Sequence, residues 1–408
     1  MKNEKYPKIL ISLSLLMSPL WARGEYLAGM QAARHAGQLG RRREAQSWLA
    51  PRMAAIASGP GSAEDAALEK WLALTPEHPL EPQLRFIDPH HHLWDARAGE
   101  GGAHITLDRG DGEPVDPAAV SYGAPNPAGC QQRYLLEDVM NDARGMKLVA
   151  SVFVECGAMY SQAGPRGLRS TGETFFAQGV AAAAASGTYG RPLLAAGITG
   201  YLDLSLPLPE LEAALLRHKQ CPNFRGIRSS PTDVGLGVLQ KHGVLFETGL
   251  SESIIELAAK FPQLTIVINH CCPRVGNGAA AIEEWKATIA KVAKACGPNV
   301  VAKMGGAGMP SCGFGWANLP RPPTSEEVAA ATLPYYGHLL DCFGANRVMA
   351  ESNFPVDKLS FSYVVCWNAF ARVVQAKDLS TSDREAVFFG TAARVYKLAV
   401  PAPNPGKM

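Results

Sequence analysis

The sequence predicts an α/β protein built as a (β/α)8 TIM-like barrel with an N-terminal extension. Three observations carry that expectation. From Phe86 onward eight short apolar runs alternate with helical stretches, the order of βαβ units around a parallel sheet. Polar residues gather at one end of those runs, although strands buried on both faces should be apolar throughout. The length, 408 residues, accommodates one barrel plus an extension. Eight alternations favour a closed barrel over a doubly wound sheet, and a barrel carries its chemistry at the C-terminal ends of its strands.

Three regions follow in order: residues 1–60, a linker helix within 61–80, and the barrel over 81–400. In the first, Lys2, Lys5 and Lys8 precede the apolar run Ile9 to Trp21, and Ala22-Arg23-Gly24 resembles a small-residue cleavage site. Gln31 to Ser58 is rich in Ala and Arg and nearly free of acids, as in Arg41-Arg42-Arg43. These are features of a signal or transit peptide, with a surface helical extension or a membrane anchor as the other readings. The apolar run is too short to span a bilayer. Nine cysteines, an odd number with Cys271 and Cys272 adjacent and no CxxC spacing, point to reduced thiols rather than a disulfide framework or a thiolate zinc site. That favours an intracellular or organellar destination (plastid or mitochondrion), with a secretory signal left open. A net charge of +2 gives no sign of a nucleic-acid partner.

A helical pattern from Ala63 to Leu74 is broken by Thr75-Pro76-Glu77-His78-Pro79. The first strand then runs into His90-His91-His92. Ala96 to Gln132, rich in Gly, Pro and Asp, has no periodicity and reads as a lid over the strand ends. Strands are expected at Leu148 to Glu155, Leu194 to Leu204, Phe224 to Arg228, Val244 to Leu250, Thr265 to His270, Asn299 to Met304 and Arg347 to Asn353. The helices between them begin at Tyr134, lie around Val180 to Ala185, and run over Pro209 to Lys219 and Glu252 to Lys260. A further one carries Ile282, Trp285, Ile289 and Val292 on one face. Thr324 with Glu327 makes a capping box for the next, and two final helices open near Ser382 and Thr391.

The strand ends then carry His90 and His92, Glu155, Asp203, Arg228, Glu247, His270, Lys303 and Asn353, with Asp357 just beyond. His90 and His92 stand two residues apart on a strand and face one way. Such a pair suits a metal ion or a polarised substrate oxygen. His270, on the sixth strand, converges on the same mouth. Lys303 reads as an ion-paired lysine before a catalytic amine, and Gly305-Gly306-Ala307-Gly308 as a tight turn before a phosphate cradle.

Asp88-Pro89-His90-His91-His92-Leu93-Trp94-Asp95, Gly172-Glu173-Thr174-Phe175, Phe224-Arg225-Gly226-Ile227-Arg228, Ile268-Asn269-His270 and Glu351-Ser352-Asn353-Phe354-Pro355-Val356-Asp357 resemble the amidohydrolase-related (amidohydrolase 2) family, within it the branch of sugar-lactone and dicarboxylate-lactone hydrolases. The resemblance spans roughly residues 65 to 400. It implies a distorted barrel and hydrolysis of a C–O or C–N bond, with decarboxylation in some members. It maps the first-strand histidine pair onto His90 and His92 and the sixth-strand histidine onto His270. Some members hold zinc there with a last-strand Asp, while lactonases of the branch work without metal and use that Asp as base. This chain has Asn353 at that position, and an amide neither accepts a proton near neutral pH nor ligates zinc well.

The expected function is therefore metal-free opening of a lactone or small carboxylated ester. Arg228 pairs with a substrate carboxylate, with Glu155 and Asp203 as further binding or orienting groups. His90 and His92 polarise the carbonyl and steady the oxyanion, and His270 or Asp357 serves as base. Two rivals remain. One is a zinc-dependent amidohydrolase or decarboxylase, holding the ion with His90, His92 and His270 and with Asp88 or Asp357 completing the set. The other is a barrel that has lost catalysis and binds a small acid. The expected partner is a small-molecule substrate, neither nucleic acid nor membrane, with homo-oligomerisation left open.

Overall fold

The computed structural model describes residues 63–95, 131, 133–161 and 163–400. The leader and the expected lid lie outside those residues, apart from Gln131. Helix α1 (Ala63–Leu72) precedes strand β1 (Arg85–His91), and a two-stranded ribbon of β2 (Trp94–Asp95) and β3 (Arg133–Tyr134) flanks the strand end. Parallel strands then follow in chain order: β4 (Lys147–Val154), β5 (Leu193–Gly200), β6 (Phe224–Arg228), β7 (Leu245–Thr248), β8 (Ile266–Ile268), β9 (Val300–Met304) and β10 (Val348–Ala350). With β1 they form the eight-stranded sheet that the apolar runs predict. The ribbon was not legible, because two-residue strands carry no periodicity.

The ends of the sheet meet beyond the ladder itself. His91 bridges Phe354, His92 N donates to Phe354 O at 2.8 Å, and Asn353 N donates to His90 O at 2.9 Å. Asp88 fastens the seam: its carboxylate accepts from Ser352 N (3.1 Å), Ser352 Oγ (2.5 Å) and Tyr363 Oη (2.9 Å). Burial raises the Asp88 pKa to about 6. Pro89 has no N–H for the ladder, and the register of β1 against β4 slips between Asp88 and His91. Such a slip re-aims the following side chains, here His90 and His92.

Helices α2 (Leu136–Asp142), α3 (Thr171–Ala185), α4 (Leu208–His218), α5 (Asp233–His242), α6 (Ser253–Lys260), α7 (Ala279–Ala295), α8 (Ser325–Phe343) and α9 (Tyr363–Ala376) lie between or after the strands. Thr324 and Glu327 make the capping box at α8 as expected. Two of these helices, α5 and α9, escape the pattern. Gly235 and Gly237 weaken the helical signal of α5, which relies on the Thr232 cap and left-handed Gly243 to define its ends. Helix α9 is buried around most of its circumference, so it has no polar stripe to reveal its period.

Alternate strand residues fill two compartments. Ile87, Val152, Val154, Leu245, Val267, Val301 and Met349 pack together with Phe389, Val395 and Tyr396 from the C-terminal segment. The opposite strand faces pack on the helices, as with Phe153, Ile198, Ile227 and Phe246. The cysteines among the described residues are free thiols. No helix among those residues is long and apolar enough to cross a membrane.

Candidate active site

Five strand ends deliver the central cluster. Glu351 follows β10 and is fully buried. Its Oε1 lies 2.8 Å from His270 Nδ1 and also accepts from His270 N at 3.2 Å; its Oε2 lies 2.8 Å from His90 Nδ1. The rings of His90 and His270 are 4.4 Å apart between centroids. Lys303 Nζ, from β9, sits 3.1 Å from His90 Nδ1 and 2.7 Å from Glu247 Oε2 of β7. Glu247 Oε1 in turn accepts from Thr199 Oγ1 and Tyr396 Oη, both at 2.7 Å. A buried polar column thus runs from Tyr396 through Glu247 and Lys303 to His90. Lys303 and Glu247 are fully buried and mutually neutralised, which gives Lys303 the ion-paired role expected for it.

Protonation follows from these contacts. Burial, reinforced by Lys303 and His270, pushes the His90 pKa well below the usual histidine range. Burial and the Arg228 charge do the same to His92. Each ring is therefore neutral and carries one proton. His90 Nδ1 meets both a donor, Lys303 Nζ, and an acceptor, Glu351 Oε2, so its contacts are compatible with the proton on either ring nitrogen. His92 Nδ1 lies 2.8 Å from Val154 O, another pure acceptor, and takes its proton there. His92 consequently presents its lone pair at Nε2. With its proton spent on Val154 O, His92 has no N–H left to give a substrate oxyanion.

Asn353 Oδ1 lies 3.3 Å from His92 Nε2, and its Nδ2 lies 2.7 Å from Asp357 Oδ1. The other Asp357 oxygen accepts from Gly308 N at 2.8 Å, and burial raises the Asp357 pKa well above its ordinary value. Reversing the Asn353 amide leaves its shape unchanged. Nδ2 then serves the lone pair of His92, and Oδ1 accepts the proton that burial keeps on Asp357. In either orientation Asp357 is buried with both oxygens engaged. It reaches the mouth through Asn353 and is not placed to take a proton from water. His270 (φ 51°) and Asn353 (φ 56°) both adopt left-handed backbone, strain that non-glycine residues carry mainly where surrounding structure enforces it.

On the other side of the mouth Arg228 Nε donates to Glu155 Oε1 at 2.7 Å, and Nη2 donates to Glu155 O. Arg228 and Glu155 form a preset pair. Asp203 Oδ1 accepts from Ser205 N (2.9 Å) and Ser205 Oγ (2.6 Å), which shapes its own turn. Asp88, considered above as a stand-in metal ligand, is committed to the barrel seam.

Two contributors were missed as site residues, Glu351 and Glu173. Both lie in motifs quoted above; Glu351 falls within the expected last strand, Arg347 to Asn353, and Glu173 on a helix away from the strand ends. Glu173 Oε1 accepts from Cys156 N (2.9 Å) and Ala158 N (3.0 Å), fixing the turn that follows Glu155. Burial and the neighbouring Glu155 raise the Glu173 pKa to about 8. The glycine run after β9 serves close approach: a Cβ on Gly305 would lie 2.2 Å from Glu351 Cγ, and one on Gly308 2.7 Å from Asp357 Cβ.

His90, His270 and Glu351 offer ligand atoms all within 4.8 Å of one another. Among the described residues His90 Nε2 is buried without a hydrogen-bond partner. Two imidazoles and a carboxylate are a donor set that fits a divalent cation. His92 Nε2 faces Asn353 instead of joining that set.

A barrel whose first, sixth and eighth strand ends bring two histidines onto one buried carboxylate has the architecture of a hydrolase. The chain belongs to the amidohydrolase family, whose profile matches residues 87–398. It is 33% identical over 341 residues to the uncharacterized protein y4mH of Sinorhizobium fredii, covering 77% of this chain and 99% of that one. An L-fucono-1,5-lactonase of Burkholderia ambifaria is 26% identical over 233 residues, 52% of this chain and 74% of the relative. The fold matches a crystal structure of an amidohydrolase from Burkholderia multivorans with bound zinc, at a TM-score of 0.57 and 23% identity over 77% of this chain and 100% of that one.

Proposed function

We propose that the protein opens the ring of a small lactone bearing a carboxylate or several hydroxyls, adding water at the acyl carbon. The observation that carries this reading is Glu351 Oε1 lying 2.8 Å from His270 Nδ1, a carboxylate that aligns the ring and leaves its Nε2 to act as base. The similarity to an L-fucono-1,5-lactonase supports the substrate class. Arg228 binds an anionic or hydroxyl oxygen of the substrate and fixes the acyl carbon near the histidines. His270 Nε2 takes a proton from water as its oxygen bonds to that carbon, and Glu351 stabilises the imidazolium that results. The ring C–O bond then breaks, and the departing alkoxide recovers the proton from His270. Water and lactone become one hydroxy acid, with no other reactant.

The orphaned His90 Nε2 favours a second form of the same reading. His90, His270 and Glu351 would hold a divalent cation, which supplies Lewis acidity toward a carbonyl oxygen. His270 then acts as a ligand instead of a base, so the two forms exclude each other at that nitrogen. A panel of sugar lactones, aryl esters and amides, run on the full chain with and without chelator, tests both. Lactone turnover that survives chelation supports His270 as base, and turnover lost to chelator and restored by zinc supports the cation. Turnover of amides alone would overturn the lactonase reading.

A further inference from the structure

At the opposite end of the barrel from the histidines lies a cavity of about 480 Å³, floored by the first residues of β6 and β7 and by the segment entering β8. Its walls carry Lys219, Arg225 and Lys397, together with His242, Gln240 and Gln263, and no carboxylate. Among the described residues none of the three cations pairs with an acid. This contrasts with Lys303 and Lys358, whose ammonium groups meet Glu247, and Asp142 with Glu69.

Arg225 is held in place by main-chain oxygens alone. Its Nε donates to Tyr396 O at 2.8 Å, and its Nη1 to Pro222 O at 2.7 Å and Phe224 O at 2.9 Å. Burial lowers its pKa from the usual arginine value, the direction expected of a charge without a counterion. Lys219 Nζ likewise donates only to a carbonyl, His242 O at 3.1 Å. His242 Nε2 is buried without a hydrogen-bond partner, and Glu212, 4.0 Å away, is already paired with Lys241 at 2.7 Å. Gln240 spends its oxygen on Gln263 N at 3.0 Å, which leaves its amide N–H groups as donors.

A concave site of this size lined by donors and one sign of charge concentrates anions. Its rigid guanidinium is preorganised for an oxyanion, and apolar Phe224, Val244 and Leu245 complete the lining. We propose that this cavity is a binding site for a small organic oxyanion, a carboxylate or phosphate ester, distinct from the site at the strand C-termini.

The test is calorimetric titration of the full chain with two probes, inorganic phosphate and succinate. The double charge reversal Lys219→Glu/Lys397→Glu, at two exposed positions, is compared with Lys291→Glu/Lys294→Glu on the outer helix α7 and with Arg228→Gln in the mouth. The expected result is saturable binding of at least one probe, weakened roughly tenfold or more by the first pair only, a loss of about 1.4 kcal/mol. Binding of phosphate alone or succinate alone identifies the headgroup. Absence of saturable binding, equal weakening by both lysine pairs, or loss through Arg228→Gln alone would overturn the proposal.

Discussion

Glu351 Oε1 lies 2.8 Å from His270 Nδ1 while its other oxygen lies 2.8 Å from His90 Nδ1. One buried carboxylate therefore touches two histidines from strands that are distant in sequence, and it holds the His270 proton on Nδ1. Removing such an outer partner of a working histidine typically costs 10- to 100-fold. Glu351→Gln should lower kcat on the best lactone by about that factor, while circular dichroism stays native. A variant with unchanged kcat would show that His270 holds its tautomer without it.

Gly305→Ala tests the same alignment from behind. Its Cβ would meet Glu351 Cγ at 2.2 Å and Glu351 O at 2.5 Å, and a rigid backbone contact cannot yield cheaply. The expected outcome is a destabilised enzyme, by about 1–3 kcal/mol as for overpacked cores, whose residual folded fraction has reduced kcat. Urea unfolding and active-site titration would separate the two effects.

The column beneath His90 predicts a graded stability series. Lys303→Met leaves Glu247 charged in the interior without its counterion and should cost about 3–5 kcal/mol. Tyr396→Phe removes one donor to that carboxylate and should cost about 1.5–3 kcal/mol. Adding Glu247→Gln to Lys303→Met should recover part of the loss, because the uncompensated charge is gone. Urea midpoints of the three variants check the order.

His218 gives a pH dependence away from the mouth. It is buried on α4 against Thr174 Oγ1 at 2.8 Å, and burial pushes its pKa down to about 4. The unfolded chain, with an ordinary histidine pKa, binds the proton more readily between about pH 6.5 and the folded value. Stability from the neutral ring is thus complete above that range and is lost as pH falls through it, by about 1.4 kcal/mol per pH unit per histidine. His218→Gln should flatten the slope of unfolding free energy against pH in that window by about one proton's worth. An unchanged slope would place the titration elsewhere.

Much of this architecture is legible in the chain because parallel strands write themselves as apolar runs and their ends as polar residues. His90, His92, Arg228 and His270 stand out for that reason. Glu351 does not, since its role depends on contacts with β1 and β8 that only the closed barrel creates. The tautomers of His270 and His92 are invisible for the same cause: they are set by Glu351 and by a carbonyl of β4. Asn353 was conspicuous as a missing carboxylate, but its partnership with buried Asp357 depends on a turn geometry that no spacing encodes. Helix α9 hides because burial on most sides erases its period.

The most direct measurement is kcat/KM for lactone opening by His270→Ala beside the wild-type protein, on whichever lactone the panel shows to be turned over. Whether His270 moves a proton or holds a cation, its loss should reduce turnover by at least about a hundredfold with the fold intact. Activity within a few-fold of wild type would contradict an active site built on the Glu351-aligned histidines.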